Sequence, residues 1–308
     1  MAVPEQVEPV PGHLEPDETA PAQDFAADVA VITGAGSGIG RATAEYIARR
    51  GAAIVVNDLD GDAAELTVNA LASLGARAVA VVGSVADSAV ADELIETAVA
   101  EFGHVDIVVN NAGGGQGGRL VDLTDEQIRA DIESHLLGTI WVTRAALRVM
   151  GPADTGRIVN TASSAGAFGI PEVGGYAAAK AGIIGFTKAT ALEVAKSGVA
   201  INAIAPIAST RLAAGFFKRY SSLDQSRYRV ESIPPVTAFL ASRACPLNGE
   251  LISIAAGRAA RIFTGTASGH LDPHADHHDI AAHLDAIMST EHPVIPRSAF
   301  DEFLLIEV

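Results

Sequence analysis

Val29-Ala30-Val31-Ile32-Thr33-Gly34-Ala35-Gly36-Ser37-Gly38-Ile39-Gly40 opens on four apolar residues and closes in a glycine-rich turn that runs into an Ala-containing stretch of helical period. A short β-branched run handed over to a helix by such a turn is the start of a βαβ unit. A helix N-terminus offers unpaired N–H groups and the positive end of a dipole, and glycines let the backbone approach a pyrophosphate without a Cβ in the way. Gly34, Ser37, Gly38, Ile39 and Gly40 are therefore the expected phosphate cradle. The spacing is T-G-x-x-x-G-x-G rather than GxGxxG, and a glycine-rich turn taken alone reads equally well as a tight loop.

Outward from this turn the same texture repeats. Val29–Thr33, Ile54–Asn57, Ala78–Val82, Ile107–Asn110, Ile158–Thr161, Ile201–Ile204 and Leu251–Ile254 read as strands, most of them apolar throughout, as strands buried on both faces should be. Helices are expected near 40–50, 62–75, 88–102, 124–150, 175–197 and 234–243. The alternation predicts an α/β fold with a parallel sheet of about seven strands in a single domain over 26–257, with no internal repeat. Residues 207–232 have weak periodicity and carry Phe216, Phe217, Tyr220 and Tyr228. Its place directly after the sixth strand suits a lid over a substrate site, with a surface insertion carrying anchoring aromatics as the alternative.

The flanks differ from the centre. Residues 1–25 hold five prolines and six carboxylates, with no Lys or Arg before Arg41, and are expected to be a disordered acidic tail or a docking arm. The extension over 258–308 carries His270, His274, His277, His278, His283 and His292, whose spacing matches no fixed zinc pattern, so no metal is expected. The 37 acidic against 21 basic residues give a formal charge of −16, which repels a phosphate backbone and argues against nucleic acid as a partner. No apolar run approaches membrane-spanning length and no signal-peptide pattern opens the chain, so no membrane partner and a cytoplasmic location are expected. Cys245 is the single cysteine and provides no disulfide framework.

Four further places carry chemistry. Asp58 ends the second apolar run 18 residues beyond Gly40. A carboxylate there accepts hydrogen bonds from the adenosine ribose and repels a 2′-phosphate, which favours NAD over NADP, although Arg41 could hold that phosphate. Asn110, Asn111, Ala112 and Gly113 follow the fourth strand and lead into more glycines, where a nicotinamide ribose would lie. Tyr176 and Lys180 stand one helical turn apart on one face. A phenol is a poor base at neutral pH, but a nearby cation favours phenolate, so Lys180 is expected to draw the Tyr176 pKa down. Ser163 ends the fifth strand, thirteen residues before Tyr176, where its hydroxyl can hold a substrate oxygen and stabilise an alkoxide-like transition state.

The joint order of these motifs resembles the short-chain dehydrogenase/reductase family from about residue 27 to 257, through Thr33–Gly40, Asp58, Asn110–Gly113, Ser163, Tyr176, Lys180 and Asn202–Pro206. The resemblance implies a doubly wound Rossmann fold with helices on both faces of the sheet, and a homo-oligomer, dimer or tetramer. It also implies Tyr176 as acid/base, Ser163 orienting the carbonyl, and Lys180 lowering the Tyr176 pKa while binding the nicotinamide ribose. Cofactor contacts carry over to Asp58 and its neighbour Leu59, to Ser84 and Val85 after the third strand, to Asn111, Ala112 and Gly113, and to Pro206, Ile207 and Thr210 after the sixth. Three positions depart from the family pattern: Ser84-Val85 replaces Asp-Val, Pro206-Ile207 replaces Pro-Gly, and His135 replaces the Asn of the Asn-Leu-x-Gly context. His135 is then a proton-relay residue or a packing residue in the core.

His135, the Val-Asn-Asp run at 56–58 and the Ala-Pro-x-Ala-x-x-Arg segment from Ala205 to Arg211 are similar to the dehydrogenase domain of peroxisomal-type multifunctional enzymes. That implies 3-hydroxyacyl thioester or steroid-like chemistry. The function expected is hydride transfer between NAD and the carbon of a small-molecule secondary alcohol or ketone. A non-catalytic NAD-binding sensor or scaffold is the alternative from another class. A dehydratase or epimerase would need a further acid/base, for which only Glu172 stands out.

Overall fold

The computed structural model describes residues 24–115 and 117–303; the acidic tail over 1–23 lies outside them, as do 304–308. All seven expected strands form: β1 (Val29–Ile32), β2 (Ala53–Asp58), β3 (Ala78–Val82), β4 (Ile107–Asn110), β5 (Gly156–Thr161), β6 (Val199–Ile207) and β7 (Leu251–Ala255). They lie in the order β3-β2-β1-β4-β5-β6-β7, all parallel. An eighth, β8 (Arg258–Ile262), adds antiparallel to β7. The strand pattern in the sequence ends with Leu251–Ile254 and the expected domain with 257, so β8 extends both. Ala256 and Gly257 have φ of 49° and 83° and close a two-residue hairpin of the kind that matches strand twist. The charged Arg258-Ala-Ala-Arg261 run hid the strand because it lies on a sheet edge and has no apolar face to show.

Alternation along the central strands sends their side chains to two helical layers, which is what makes the fold doubly wound. Ala30, Ile32, Ile54 and Val56 pack against α1 (Gly38–Ala48), α2 (Gly61–Ser73) and α9 (Pro234–Ala241). Val29, Val31, Ala53 and Val55 pack against α3 (Ser88–Phe102), α5 (Gly138–Ala153) and α7 (Gly174–Glu193). Phe25 is already 2% exposed within the first layer, so ordered packing begins at the edge of the segment expected to be a tail.

The single helix expected over 124–150 is divided. Its first part is α4 (Asp125–Asp131), opened by a capping box of Thr124 and Gln127; a π-helical turn over Ile132–Leu137 follows, and α5 completes it. Such single-turn widenings occur where a side chain must be aimed off the helical register. Between β5 and α7 stands the short α6 (Ser164–Phe168). The 207–232 segment folds into α8 (Ala214–Arg219) and two short 3₁₀ turns. It is fastened by Ser209 N–H to the Tyr228 carbonyl at 2.7 Å, by the Phe217 and Tyr228 rings at 5.2 Å, and by an Arg219–Glu172 ion pair at 2.6 Å. Among the described residues, three short helices follow β8: α10 (His277–Ala282), α11 (Leu284–Ile287) and α12 (Ala299–Phe303).

Strand order reverses between β1 and β4, so a crevice opens at the carboxyl ends of these two strands, the place where open parallel sheets bind ligands.

Candidate active site

One half of the crevice is built from backbone. The β1–α1 turn passes under the β4 loop: the Thr33 hydroxyl accepts the N–H groups of Asn111 and Ala112, both at 3.0 Å, and the Asn111 amide donates to the Thr33 and Gly34 carbonyls at 3.1 Å. A Cβ on Gly40 would collide with the Gly34 carbonyl, so the turn closes this tightly only with glycine there. Ser37 stands at the N-cap of α1 but its hydroxyl makes no bond to the first turn, which leaves those donors facing the crevice. Asp58 at the end of β2 accepts the Gly36 N–H at 2.9 Å through one oxygen and the Asp60 N–H at 3.1 Å through the other. Its carboxylate is thus held at the rim of the cradle. Arg41 is turned away into an i,i+4 pair with Glu45 at 2.9 Å.

The other expected contacts spread along the same edge. Thr210 crosses from β6 to lie beside Gly38, within 3.7 Å of where a Cβ would stand, so the first and last parts of the cradle meet. Pro206 and Ile207 end β6, half-buried. Leu59 is 74% exposed at the mouth. The Ser84 hydroxyl accepts the Ala86 N–H at 3.3 Å, while the Val85 side chain is buried against Gly138 in the second layer, so Val85 offers the crevice only its backbone. These residues fit a dinucleotide: open N–H donors at a helix start, glycines at 34, 36, 38 and 40 along the turn, and a carboxylate one strand over.

The other half is built from titratable side chains. Ser163 caps α6, accepting the Ala165 N–H at 3.1 Å, and its hydroxyl acts on the proton affinity of the neighbouring Tyr176 phenol. Lys180 is 2% exposed and donates to the Thr161 carbonyl at 2.6 Å, with its nitrogen 5.7 Å from the centre of the Tyr176 ring. Burial alone brings Lys180 down to about 7. The expectation that Lys180 draws the phenol down is corrected here. Burial pushes the Tyr176 hydroxyl above its ordinary value, the Ser163 hydroxyl pulls it back, and the nearby Asp131 carboxylate raises it further. The ammonium that was to lower it is directed at Thr161.

His135 is carried by the π turn, 2% exposed, with Nε2 at 2.8 Å from the Gly114 carbonyl and its ring edge-on to Tyr176 at 5.1 Å. A carbonyl only accepts, so Nε2 bears the proton and Nδ1, which has no partner among the described residues, is a bare acceptor. Burial and then the Lys180 charge lower its pKa to about 3, so the ring is neutral throughout the physiological range. Gly113 packs against this ring.

Sequence reasoning missed Asp131, a carboxylate 3% exposed beside Tyr176. The signal was present: Ile128, Asp131, Ile132 and His135 occupy i, i+3, i+4 and i+7 positions, and an acid on such a stripe is out of place unless it has a polar partner.

The family model described as short chain dehydrogenase matches residues 28–219. The chain belongs to this family. Members of the family bind NAD(H) or NADP(H). Among curated relatives it is 38% identical over 250 residues to the peroxisomal multifunctional enzyme type 2 of Drosophila melanogaster, covering 78% of this chain and 41% of that one. It is 38% identical over 250 residues to the hydroxyacyl-CoA dehydrogenase ChsB1 of Mycobacterium tuberculosis, covering 75% and 78%. This short-chain dehydrogenase therefore spans less than half the length of the Drosophila relative. A crystal structure of a short chain dehydrogenase from Mycobacterium avium superposes with a TM-score of 0.77 at 33% identity, covering 88% of this chain and 99% of that one. Among the described residues no helix is long and apolar enough to cross a membrane.

Proposed function

We propose that the protein is an NAD-dependent dehydrogenase/ketoreductase acting on a secondary alcohol or ketone of the 3-hydroxyacyl thioester class, with Tyr176 exchanging the substrate proton. The observation that carries this reading is the half-buried Tyr176 with Lys180 sealed one turn behind it, its nitrogen 5.7 Å from the phenol ring, at the mouth of a dinucleotide-shaped cradle and on the side of Ser163. A bound nicotinamide supplies the hydride donor or acceptor. The protein's side chains handle the oxygen. Ser163 orients the carbonyl, and a phenol held above its ordinary value is fully protonated at neutral pH, ready to give its proton to the forming alkoxide. Lys180 fixes the floor of the site through the Thr161 carbonyl and offers its remaining protons to the ribose. His135, neutral and bonded to Gly114, holds the glycine loop rather than titrating.

NAD is favoured over NADP because the Asp58 carboxylate faces the ribose position while Arg41 is paired with Glu45. Substitution Asp58→Ala should erode that preference by roughly tenfold or more, read as the ratio of kcat/KM for the two dinucleotides. The thioester class rests on the hydroxyacyl-CoA dehydrogenase named above, and a cytoplasmic setting rests on the composition, against a relative whose name places it in the peroxisome. The deciding experiment follows nicotinamide absorbance with 3-hydroxyacyl thioesters, steroids and simple secondary alcohols beside the Tyr176→Phe variant. NAD reduction with the thioesters that vanishes in the variant supports the proposal. Turnover that survives the substitution removes Tyr176 from it, and turnover confined to the other alcohols removes the thioester.

A further inference from the structure

The segment that follows β6 is fastened at both halves of the crevice. Thr210 lies beside Gly38 of the cofactor cradle, and Arg219, the last residue of α8, reaches Glu172 in the turn before α7, four residues ahead of Tyr176. Between these anchors α8 is wound onto its own segment, with the Ala213 N–H on the Thr210 hydroxyl at 3.2 Å and the Phe217 ring against that of Tyr228 at 5.2 Å. Glu172 is a joint of three elements. Its carbonyl accepts the Gly118 N–H at 2.7 Å, its neighbour Val173 forms a parallel bridge with Gly118 and stands at the N-cap of α7, and its carboxylate accepts the Arg219 guanidinium at 2.6 Å. Glu172 also has a φ of 67°, in the left-handed region where a side chain is strained and glycine is not. A turn that needed only its shape would be better served by glycine, which the chain does use three residues earlier at Gly169, with a φ of 75°. A carboxylate held at such a place points to a task for the side chain, and its partner there is Arg219.

We propose that Glu172 and Arg219 are a positioning pair: they hold α8 across the crevice between the cradle and Tyr176, and so set how firmly substrate is enclosed, without taking part in the proton or hydride step. The inference rests on this crevice being the active site. Among the described residues Arg211, Lys218 and Arg227 form no ion pair, and Arg229 pairs with Glu231 inside the segment, so Arg219 alone carries an ion pair from it to the rest of the chain. Both members of that pair are 48% exposed. A pair this open to water shifts an equilibrium by about fivefold at most and weakens as salt rises. That is too little to brace a fold, and enough to bias a short segment between a held and a released position.

Three variants separate this role from a merely structural one. Glu172→Gln removes the charge and keeps the size, Glu172→Gly removes the side chain and relieves the φ, and Glu172→Arg combined with Arg219→Glu exchanges the pair. Hydrogen exchange of the 212–223 amides should run about two- to fivefold faster than in the parent for the first two, and return to the parent's rate in the third. About 0.5 M salt should bring the parent towards Glu172→Gln and leave that variant where it is. Glu172→Gly should melt no earlier than the parent, because glycine suits the φ. With substrate, KM of both single variants should rise about two- to fivefold while kcat stays within about twofold. An unchanged 212–223 rate in Glu172→Gln overturns the proposal, as does an exchanged pair that fails to restore it, or a fall in kcat at constant KM. If the exchanged pair does not fold, the salt dependence of the parent set against that of Glu172→Gln decides in its place. Hydrogen exchange needs no turnover, so its result stands apart from the Tyr176→Phe assay that decides the catalytic reading itself.

Discussion

The two edges of the sheet each bury a cluster of charged or titratable side chains, and they treat them in opposite ways. At the amino-terminal edge Asp28 and Asp106 flank Arg243, whose guanidinium reaches them at 3.1 and 2.9 Å, while Asp106 also takes the Val29 N–H at 2.9 Å and the His104 ring at 2.9 Å. Burial raises the Asp28 carboxyl and Arg243 pulls it back. At the carboxyl edge Lys180, His135, Tyr176 and Asp131 lie together with no ion pair between them, Lys180 and His135 turned to the carbonyls of Thr161 and Gly114. Desolvation is the leading influence on all four. Paired charges brace strands, whereas unpaired buried ones have displaced proton affinities, and such displacement gathers at sites of chemistry.

Substitutions at the two edges should therefore fail differently. The largest effect expected is on turnover: Tyr176→Phe should lower kcat by roughly a thousandfold or more with a melting temperature close to the parent's, since only a hydroxyl is lost. A variant that melts early would turn that loss into a folding defect. Lys180 should give the next largest effect, and on stability. Its folded pKa of about 7 lies below the unfolded value, so between them the unfolded chain holds a proton that the folded one lacks. The cost of burying the charge is fully present below about pH 7 and fades as pH rises towards 10, at most about 1.4 kcal/mol per pH unit. Denaturant midpoints of the parent should accordingly gain on those of Lys180→Met between about pH 6 and pH 9.5; a gap that is flat or widens in the mutant's favour breaks the comparison.

At the braced edge, Arg243→Met should cost about 1–3 kcal/mol by taking the guanidinium from two buried carboxylates, leaving Asp28 without an ion-pair partner and Asp106 with only the Val29 N–H and His104, with kcat unchanged. A loss of activity at constant stability would mean that the two edges are coupled. The smallest effect expected is His135→Asn on the pH profile: with an imidazole near 3, no limb between pH 5 and 8 belongs to it, and the profile should keep its shape even if kcat drops severalfold. A limb near 6 that vanishes in the variant would restore the proton-relay reading.

The strands and the cradle could be read from the chain because their causes are local. Val29–Ile32, Ile54–Val56 and Ile107–Val109 are apolar because they are buried on both faces, and Gly34–Gly40 must be nearly bare because backbone meets backbone there. The Tyr176–Lys180 spacing needed only the period of one helix. Tertiary structure alone decided how those groups titrate. Lys180 turns to Thr161, burial lifts the phenol instead of letting the ammonium lower it, and His135 is neutral because the π turn puts it under Gly113. Asp131 stands out in the sequence as an acid on an apolar stripe, but only the fold sets its charge beside Tyr176, 45 residues further on and on a different element. Hydrophobic period and backbone geometry are properties of neighbours in sequence, while the electrostatic field at a buried atom is a sum over whatever the fold brings near it.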